Sequence, residues 1–229
     1  MTSEENSLPS LAVLGGTGAE GGGLALRLAH AGYPVIIGSR TVERAREAAA
    51  ALNARLGTDR IAHGTNLEAA ETADIALLTV PYAAQMAVAR EVAPLLDGKI
   101  LIDATVPLVP PKVARVQLPE GGSAVAALQS ELGPGVRVVS AFQNVSAHLL
   151  AELDRDIDCD VLVCGDDEAV RETVIGLANA IGLVAWHAGP LANSAVAEAL
   201  TSALIAINKR YKARAAGIRI TGIDRPSGA

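Results

Sequence analysis

Hydrophobic positions along the chain follow two alternating patterns. Short, fully apolar runs recur, and amphipathic stretches of roughly 10–16 residues separate them, the signature of buried strands and covering helices. The first run is Leu11–Leu14, followed by a glycine turn and a helix from Ala19 to Ala31, closed by Gly32. Val35–Ile37 opens a second strand that ends in Ser39-Arg40. Thr41 is placed to cap a helix running to about Arg55, with Glu43 near its positive end. Arg60–His63 is a weak third strand, Ile75–Val80 a stronger fourth stopped by Pro81, and Lys99–Asp103 a fifth after a helix from Tyr82 to about Ala93. Strands alternating with helices imply right-handed βαβ units on a parallel sheet.

The rhythm breaks between Thr105 and Gly122. That stretch holds Pro107, Pro110, Pro111 and Pro119 and reads as a long ordered loop, a kind often used for function. A helix from Ser123 to Leu132 and a strand from Val136 to Ala141 follow. Then come a strand from Asp158 to Cys164, a helix from Asp166 to about Ile181, and a strand from Leu183 to Trp186. One long helix is expected from Pro190, in its first turn, to about Arg214. The expected boundary lies near His148: a nucleotide-binding domain over 10–147 and a small α/β domain over 148–229.

The turn Gly16-Thr17-Gly18-Ala19-Glu20-Gly21 has the context its mechanism needs, with a strand before it, a helix after it and a second strand beyond. Gly16 permits the tight turn, Gly18 admits a pyrophosphate close to the backbone, and Gly21 lets the helix approach the strand. Free N–H groups at the helix start then face phosphate. Gly22 and Gly23 inside the helix each cost about 1 kcal/mol against Ala. Their presence suggests something large against the turn. A P-loop is excluded, because no Gly-Lys-Ser/Thr follows.

Charge refines the picture. A net charge of −6 argues against broad nucleic-acid binding but permits a local basic pocket. Aromatic residues make up 2% of the chain, so Ala, Val, Leu and Ile must fill the core. NAD sites carry Asp or Glu at the end of the second strand to accept from the ribose 2′-hydroxyl. This chain has Gly38-Ser39-Arg40-Thr41 there, and Arg44 one helical turn on. A guanidinium without a carboxylate suits a 2′-phosphate, with hydroxyls available from Thr17 and Ser39. The alternative for Arg40 and Arg44 is a solvated helix start.

Beyond the fold, Gly15-Gly16-Thr17-Gly18-x-x-Gly21-x-Gly23-Leu24-Ala25-x-Arg27-Leu28-Ala29 with Gly38-Ser39-Arg40 resembles the opening of the F420H2:NADP oxidoreductases, the NADPH-dependent reductases of the deazaflavin coenzyme F420. Val138–Phe142, Cys159–Asp167 and the Ala188-Gly189-Pro190-Leu191-x-Asn193-Ser194 segment extend the resemblance. It implies a Rossmann-type doubly wound sheet with a small C-terminal α/β domain closing the cleft, a homodimer, and direct hydride transfer from nicotinamide C4 to deazaflavin C5 or back. Carried over by position, Thr17, Ser39, Arg40 and Arg44 match the 2′-phosphate site, and Val80 and Pro81 the strand end under the nicotinamide. Val106 and Pro107, with Phe142, Gln143, Asn144 and Val145, match the deazaflavin pocket. Some relatives have histidine just after the position of Phe142; here Gln143-Asn144 stands instead, and an amide can donate to ring carbonyls.

Hydride transfer between two cofactors needs rings stacked with reacting carbons about 3–3.5 Å apart in a dry slot, and no protein nucleophile. The candidate slot residues, with Tyr82 among them, are mostly apolar or amide and stand at or just after strand ends, and Phe142 and Tyr82 could equally serve as core. No catalytic side chain is expected, only positioning ones, and no metal. His30, His63, His148 and His187 lack partners at metal-ligand spacing, and Asp166-Asp167-Glu168 reads as a helix N-terminal cluster. Cys159 and Cys164 fall on opposite faces of an extended run, which argues for two half-buried thiols in a reducing compartment.

Lys209, Arg210, Lys212, Arg214 and Arg219 form a cationic stretch without an acidic neighbour in sequence. It would complement its own helix end or attract the acidic tail of F420. Apolar residues around much of the long helix suggest a dimer interface. Met1–Ser10 is polar and unlike a signal peptide, and no uninterrupted apolar run of about 20 residues is present. A cytoplasmic enzyme is expected. Other readings are an NADPH-dependent reductase of an imine, keto acid or ferric chelate, or a non-catalytic NADPH-sensing module.

Overall fold

The structure, a computed structural model, describes residues 8–225. Most of the Met1–Ser10 segment and the last residues of the 148–229 unit lie outside the described residues. Six strands form one parallel sheet: β1 (Leu11–Leu14), β2 (Val35–Ser39), β3 (Ile61–Thr65), β4 (Ile75–Leu78), β5 (Ile100–Asp103) and β6 (Arg137–Ser140). Their order is β3-β2-β1-β4-β5-β6, so the chain starts at the centre, winds to one edge and returns to build the other. The reversal falls between β1 and β4, where open α/β sheets hold ligands at the strands' carboxyl ends.

Helices α1 (Ala19–His30), α2 (Val42–Leu56), α3 (Asn66–Thr72), α4 (Tyr82–Val92) and α5 (Ala124–Leu132) cover the sheet. β1, β4 and β5 are buried at every position, as strands covered on both faces must be. One core, with Leu11, Leu24, Leu28 and Ile37, lies beneath α1 and α2. The other, with Leu14, Leu78, Val92 and Leu128, lies beneath α3, α4 and α5.

A short helix α6 (Ala147–Leu150) leads into a second, two-stranded parallel sheet of β7 (Asp160–Val163) and β8 (Val184–His187), linked by α7 (Glu168–Ala180). A single antiparallel bridge, Ser140 with Cys164, ties it to β6. Val161, Val163 and Leu177 belong to the same core as Leu11 and Leu24. The last helix, α8 (Ser194–Tyr211), returns to pack against α5. There buried Glu198 accepts from Ser123 Oγ at 2.7 Å and from the backbone N–H groups of Ala124 and Val125, at the positive end of α5.

Several expectations need correction. The sequence reading missed α3, whose start is a reciprocal capping box between Thr65 and Glu68, and α6. β4 stops at Leu78, because the chain turns out of the sheet through Thr79 and Val80 to begin α4 after Pro81. Thr41 occupies the cap position of α2 but makes no side-chain cap bond, whereas Asp167 caps α7 as its acidic cluster predicts. Pro190 precedes a 3-10 turn over Leu191–Asn193, and α8 ends at Tyr211, where Lys212 adopts a left-handed φ of 54°.

Both cysteines are buried rather than half-buried, off the ends of β7. Arg214 and Arg219 do have acidic partners, Glu152 and Asp158, supplied by the fold rather than by sequence neighbours. The stretch Leu191–Tyr211 is long and apolar enough to cross a membrane by length and composition, although Ser194, Glu198 and Lys209 keep it from being an uninterrupted apolar run. Its buried Glu198 is spent on α5 instead.

Gly23 also has a different cause from the one expected. A Cβ there would stand 2.6 Å from Leu150 Cβ, so α6, not a ligand, occupies the space. One turn on, buried Arg27 donates from Nε to the Leu150 carbonyl at 3.0 Å and from Nη2 to those of Leu149, Glu152 and Arg155. Its Nη1 also reaches the Ile181 carbonyl at 3.4 Å. The segment after α6 has little secondary structure of its own, so this guanidinium satisfies its carbonyls.

In the smaller sheet, fully buried Asp160 accepts from Trp186 Nε1 and the Ile220 N–H, both at 2.8 Å, and pairs with Arg225 at 2.7 Å. Arg27→Met keeps most of the side chain's bulk and strips these carbonyls of their donor. It should lower stability by about 2–4 kcal/mol, read as a lower urea midpoint.

Candidate active site

A cleft of about 830 Å³ opens at the carboxyl ends of β1, β2, β4 and β5. The glycine turn forms one wall. Gly21 is where α1 touches the turn that leaves β4: a Cβ there would lie 2.3 Å from Thr79 Oγ1 and 2.8 Å from Gly16 Cα. Thr79 Oγ1 donates to the Leu14 carbonyl at 2.9 Å, which fixes the last turn of backbone before the glycines. Asn66, buried at the start of α3, accepts from the Gly15 N–H through Oδ1 at 3.3 Å.

Of the residues expected here, Thr17, Gly18, Ser39, Arg40, Arg44, Val80, Pro81, Tyr82, Val106, Gln143 and Val145 all line this one cleft. Gly16 and Gly21 are buried beneath it and shape the turn. Pro107, Phe142 and Asn144 do not line it. Phe142 has a left-handed φ of 75° that turns its ring into the core. Asn144 faces the smaller sheet, its Nδ2 donating to the Asp160 carbonyl at 2.8 Å and to Cys159 Sγ. Pro107 is buried behind its loop.

Sequence reasoning missed Glu20, Asn66, Thr79, Thr105 and Thr201, and the loop residues Leu108, Pro110 and Val113. Thr201 comes from α8, so the cleft has a wall from the C-terminal part of the chain.

At the β2 end, buried Ser39 and exposed Arg40 and Arg44 stand together. Neither arginine makes an ion pair among the described residues, so both guanidinium groups are available to an anion. Among the described residues no carboxylate lines the cleft at this strand end to accept from a ribose 2′-hydroxyl.

At the other end, the Gln143 amide is held by a bond from Nε2 to the Asp103 carbonyl at 2.7 Å. A carbonyl only accepts, so the amide nitrogen must point there. Its Oε1 is buried without a partner, as is Thr105 Oγ1. Gln143 therefore offers an acceptor to a bound ring rather than the donor expected from sequence. Such orphaned polar atoms in a cleft fit a heteroaromatic ligand with its own N–H groups.

Asp103 is completely buried at the end of β5. Burial pushes its carboxyl up to about 6, although hydrogen bonds from Thr105 and from Gln85 Nε2, at 2.5 Å, pull the other way. Among the described residues no group of His, Cys, Asp or Glu is arranged to hold a metal ion.

The family model for coenzyme F420-dependent NADP oxidoreductases matches residues 10–107. The F420-dependent NADP reductase of Methanocaldococcus jannaschii is 41% identical over 222 residues, 93% of this chain and 99% of that protein. The chain belongs to the F420-dependent NADP reductase family. The reductase of Methanothermobacter marburgensis is 43% identical over 220 residues, again 93% of this chain, and 98% of that protein. A solved structure from Arthrobacter sp. fb24, likewise described as F420-dependent, superposes with a TM-score of 0.77 at 24% identity, covering 92% of this chain and 98% of that one. At that identity it speaks for the reductase fold alone.

The carboxyl of Asp103 gives a pH test. Its folded value lies above the unfolded value of about 3.9, so the native state holds the proton better. This contribution is full below the unfolded value and is lost as pH rises from about 4 to about 6. The loss amounts to about 2–3 kcal/mol for a two-unit shift. Urea unfolding at about pH 4 and about pH 7 should show a drop in stability that is smaller by that order in Asp103→Asn.

Proposed function

We propose that the protein is an oxidoreductase that transfers hydride reversibly between NADP(H) and coenzyme F420, without a protein nucleophile or metal. The observation that carries this is the near full-length identity to F420-dependent NADP reductases. A β2 end with two unpaired arginines and no carboxylate supports the phosphorylated dinucleotide. The two cofactors supply the hydride donor and acceptor; the chain binds and orients them and excludes water.

In this reading Thr17, Ser39, Arg40 and Arg44 hold the 2′-phosphate, and the backbone at Gly18 faces the pyrophosphate. Val80 and Pro81, at the turn from β4 into α4, back the nicotinamide. Val106, Gln143 and Val145 flank the deazaflavin, with Gln143 Oε1 as acceptor. Phe142 and Asn144 act through the core and the smaller sheet, holding Gln143 between them, and Pro107 holds the loop that presents Val106. Residues 10–147 bind NADP(H), and 148–229 close the cleft through Thr201 and dimerise.

A homodimer is supported by the outer face of α8, where Val196 is 61% and Tyr211 75% exposed and Ile207 is exposed beside them. Buried free thiols at Cys159 and Cys164 suit a reducing, cytoplasmic compartment. Reduction of an imine, keto acid or ferric chelate, and a sensing role without turnover, are not favoured by these relatives.

Oxidised F420 mixed with NADPH should lose its visible absorbance only when the protein is added. An unchanged spectrum removes this function. Arg40→Ser should weaken NADPH binding roughly 10–150-fold by loss of one or more charged hydrogen bonds, and leave NADH nearly unaffected. Equal wild-type affinity for the two dinucleotides speaks against the 2′-phosphate site. Sedimentation at micromolar concentration should give a dimer, and Val196→Glu should shift it toward monomer.

A further inference from the structure

Glu20 is an acid in an unexpected place. It sits at the second position of α1, inside the glycine turn, and lines the cleft beside Gly18 and Thr79. The residue as a whole is partly exposed, but one carboxyl oxygen, Oε1, is buried and has no hydrogen-bond partner. Neither lysine nor arginine pairs with it among the described residues. The closest thing to compensation is the positive end of α1, which favours an anion. That same end is where a dinucleotide's pyrophosphate must bind. Two anions would then compete for one helix terminus in a cleft that the ligand has emptied of water, and like charges at such range disfavour each other strongly.

We propose that Glu20 is a proton-linked specificity residue: it enters the NADP(H) complex as a neutral carboxylic acid, so that cofactor binding requires the proton and weakens once Glu20 ionises. This rests on reading the cleft as the dinucleotide site. The charges around Glu20 agree with it. Burial, with the Asp103 charge adding to it, pushes the Glu20 carboxyl up to about 8 before any ligand is present. The other groups on the cleft wall are Arg40 and Arg44 from the β2–α2 junction and Tyr82 at the start of α4, with Asp103 behind the β5 end. Helix α6, packed on α1, carries exposed His148. The arginines stand at the 2′-phosphate end of the wall. A proton on Glu20 is conserved in the step: solvent gives it to the carboxylate on binding and recovers it on release.

The test is a titration of NADPH affinity against pH, starting at about pH 7 so that the 2′-phosphate, which titrates at about pH 6, is already mostly ionised. The wild-type Kd should be level to about pH 8 and then rise by up to tenfold per pH unit. Calorimetry in buffers of different ionisation enthalpy should show uptake approaching one proton per NADPH at about pH 9. In Glu20→Gln, a neutral isostere, the Kd should be the same at both ends of the series and the uptake should vanish. A level wild-type Kd, or a Glu20→Gln variant with the wild-type slope and uptake, overturns the proposal. The calorimetric arm needs no variant, so it decides even if Glu20→Gln fails to fold. Absence of NADPH binding at any pH overturns it together with the cleft assignment, a result distinct from binding without a proton.

Discussion

At Gly21 the first helix comes so close to the residue after β4 that a single added carbon would stand 2.3 Å from Thr79 Oγ1. The rest of the cleft depends on that approach. It sets α1 directly over the ends of β1 and β4, so the amides of the glycine turn look into the gap where the sheet reverses direction. Thr79 joins both sides, touching the helix with its side chain while donating to the last carbonyl of β1. Shift the helix outward by one methyl group and the turn no longer faces the strand ends, and Arg40, Val80 and Gln143 cease to surround one volume.

The opposite wall is built by a different means. Its polar groups are stacked in sequence: Gln85 on the Asp103 carboxyl, Gln143 on the Asp103 carbonyl, and Thr201 Oγ1 on the Gln143 carbonyl at 2.7 Å. Each link crosses from one element to another, α4 to β5 to the segment after β6 to α8. A buried network of this kind gives orientation more than net stability, because most of its bonds replace equally good bonds to water. Its product is one amide whose acceptor direction is fixed before any ligand arrives.

Much of this was readable from the chain. The strands of the first sheet and most of the helices follow from apolar runs and amphipathic spacing. The glycine turn and Ser39-Arg40 are local motifs whose chemistry does not depend on distant partners. Other features required long-range contacts. Phe142 looks like a slot residue by position, but a left-handed backbone turns it inward, and no local pattern announces that conformation. Asn144 is an amide beside an amide in sequence, and only the neighbouring Cys159 and Asp160 decide which of the pair serves the cleft. Acids are common near helix starts, so nothing local singles out Glu20, and its lack of a partner is visible only in three dimensions. The capping box at Thr65 and Glu68 was within reach, for its spacing is a known start signal.

The buried carboxylate of Asp160 bears on how the chain is made. During synthesis Asp160 leaves the ribosome 65 residues ahead of Arg225, the cation that neutralises it in the finished fold. Until then the smaller sheet must either keep that carboxyl in water or hold it buried without its counter-charge, a costly arrangement. The first sheet needs nothing from beyond β6 to pair its strands, so it is free to form as it emerges. The smaller sheet thus depends on the last residues of the chain for its counter-charge, and Val161 and Val163, which share the core of α1, tie that dependence to the first unit.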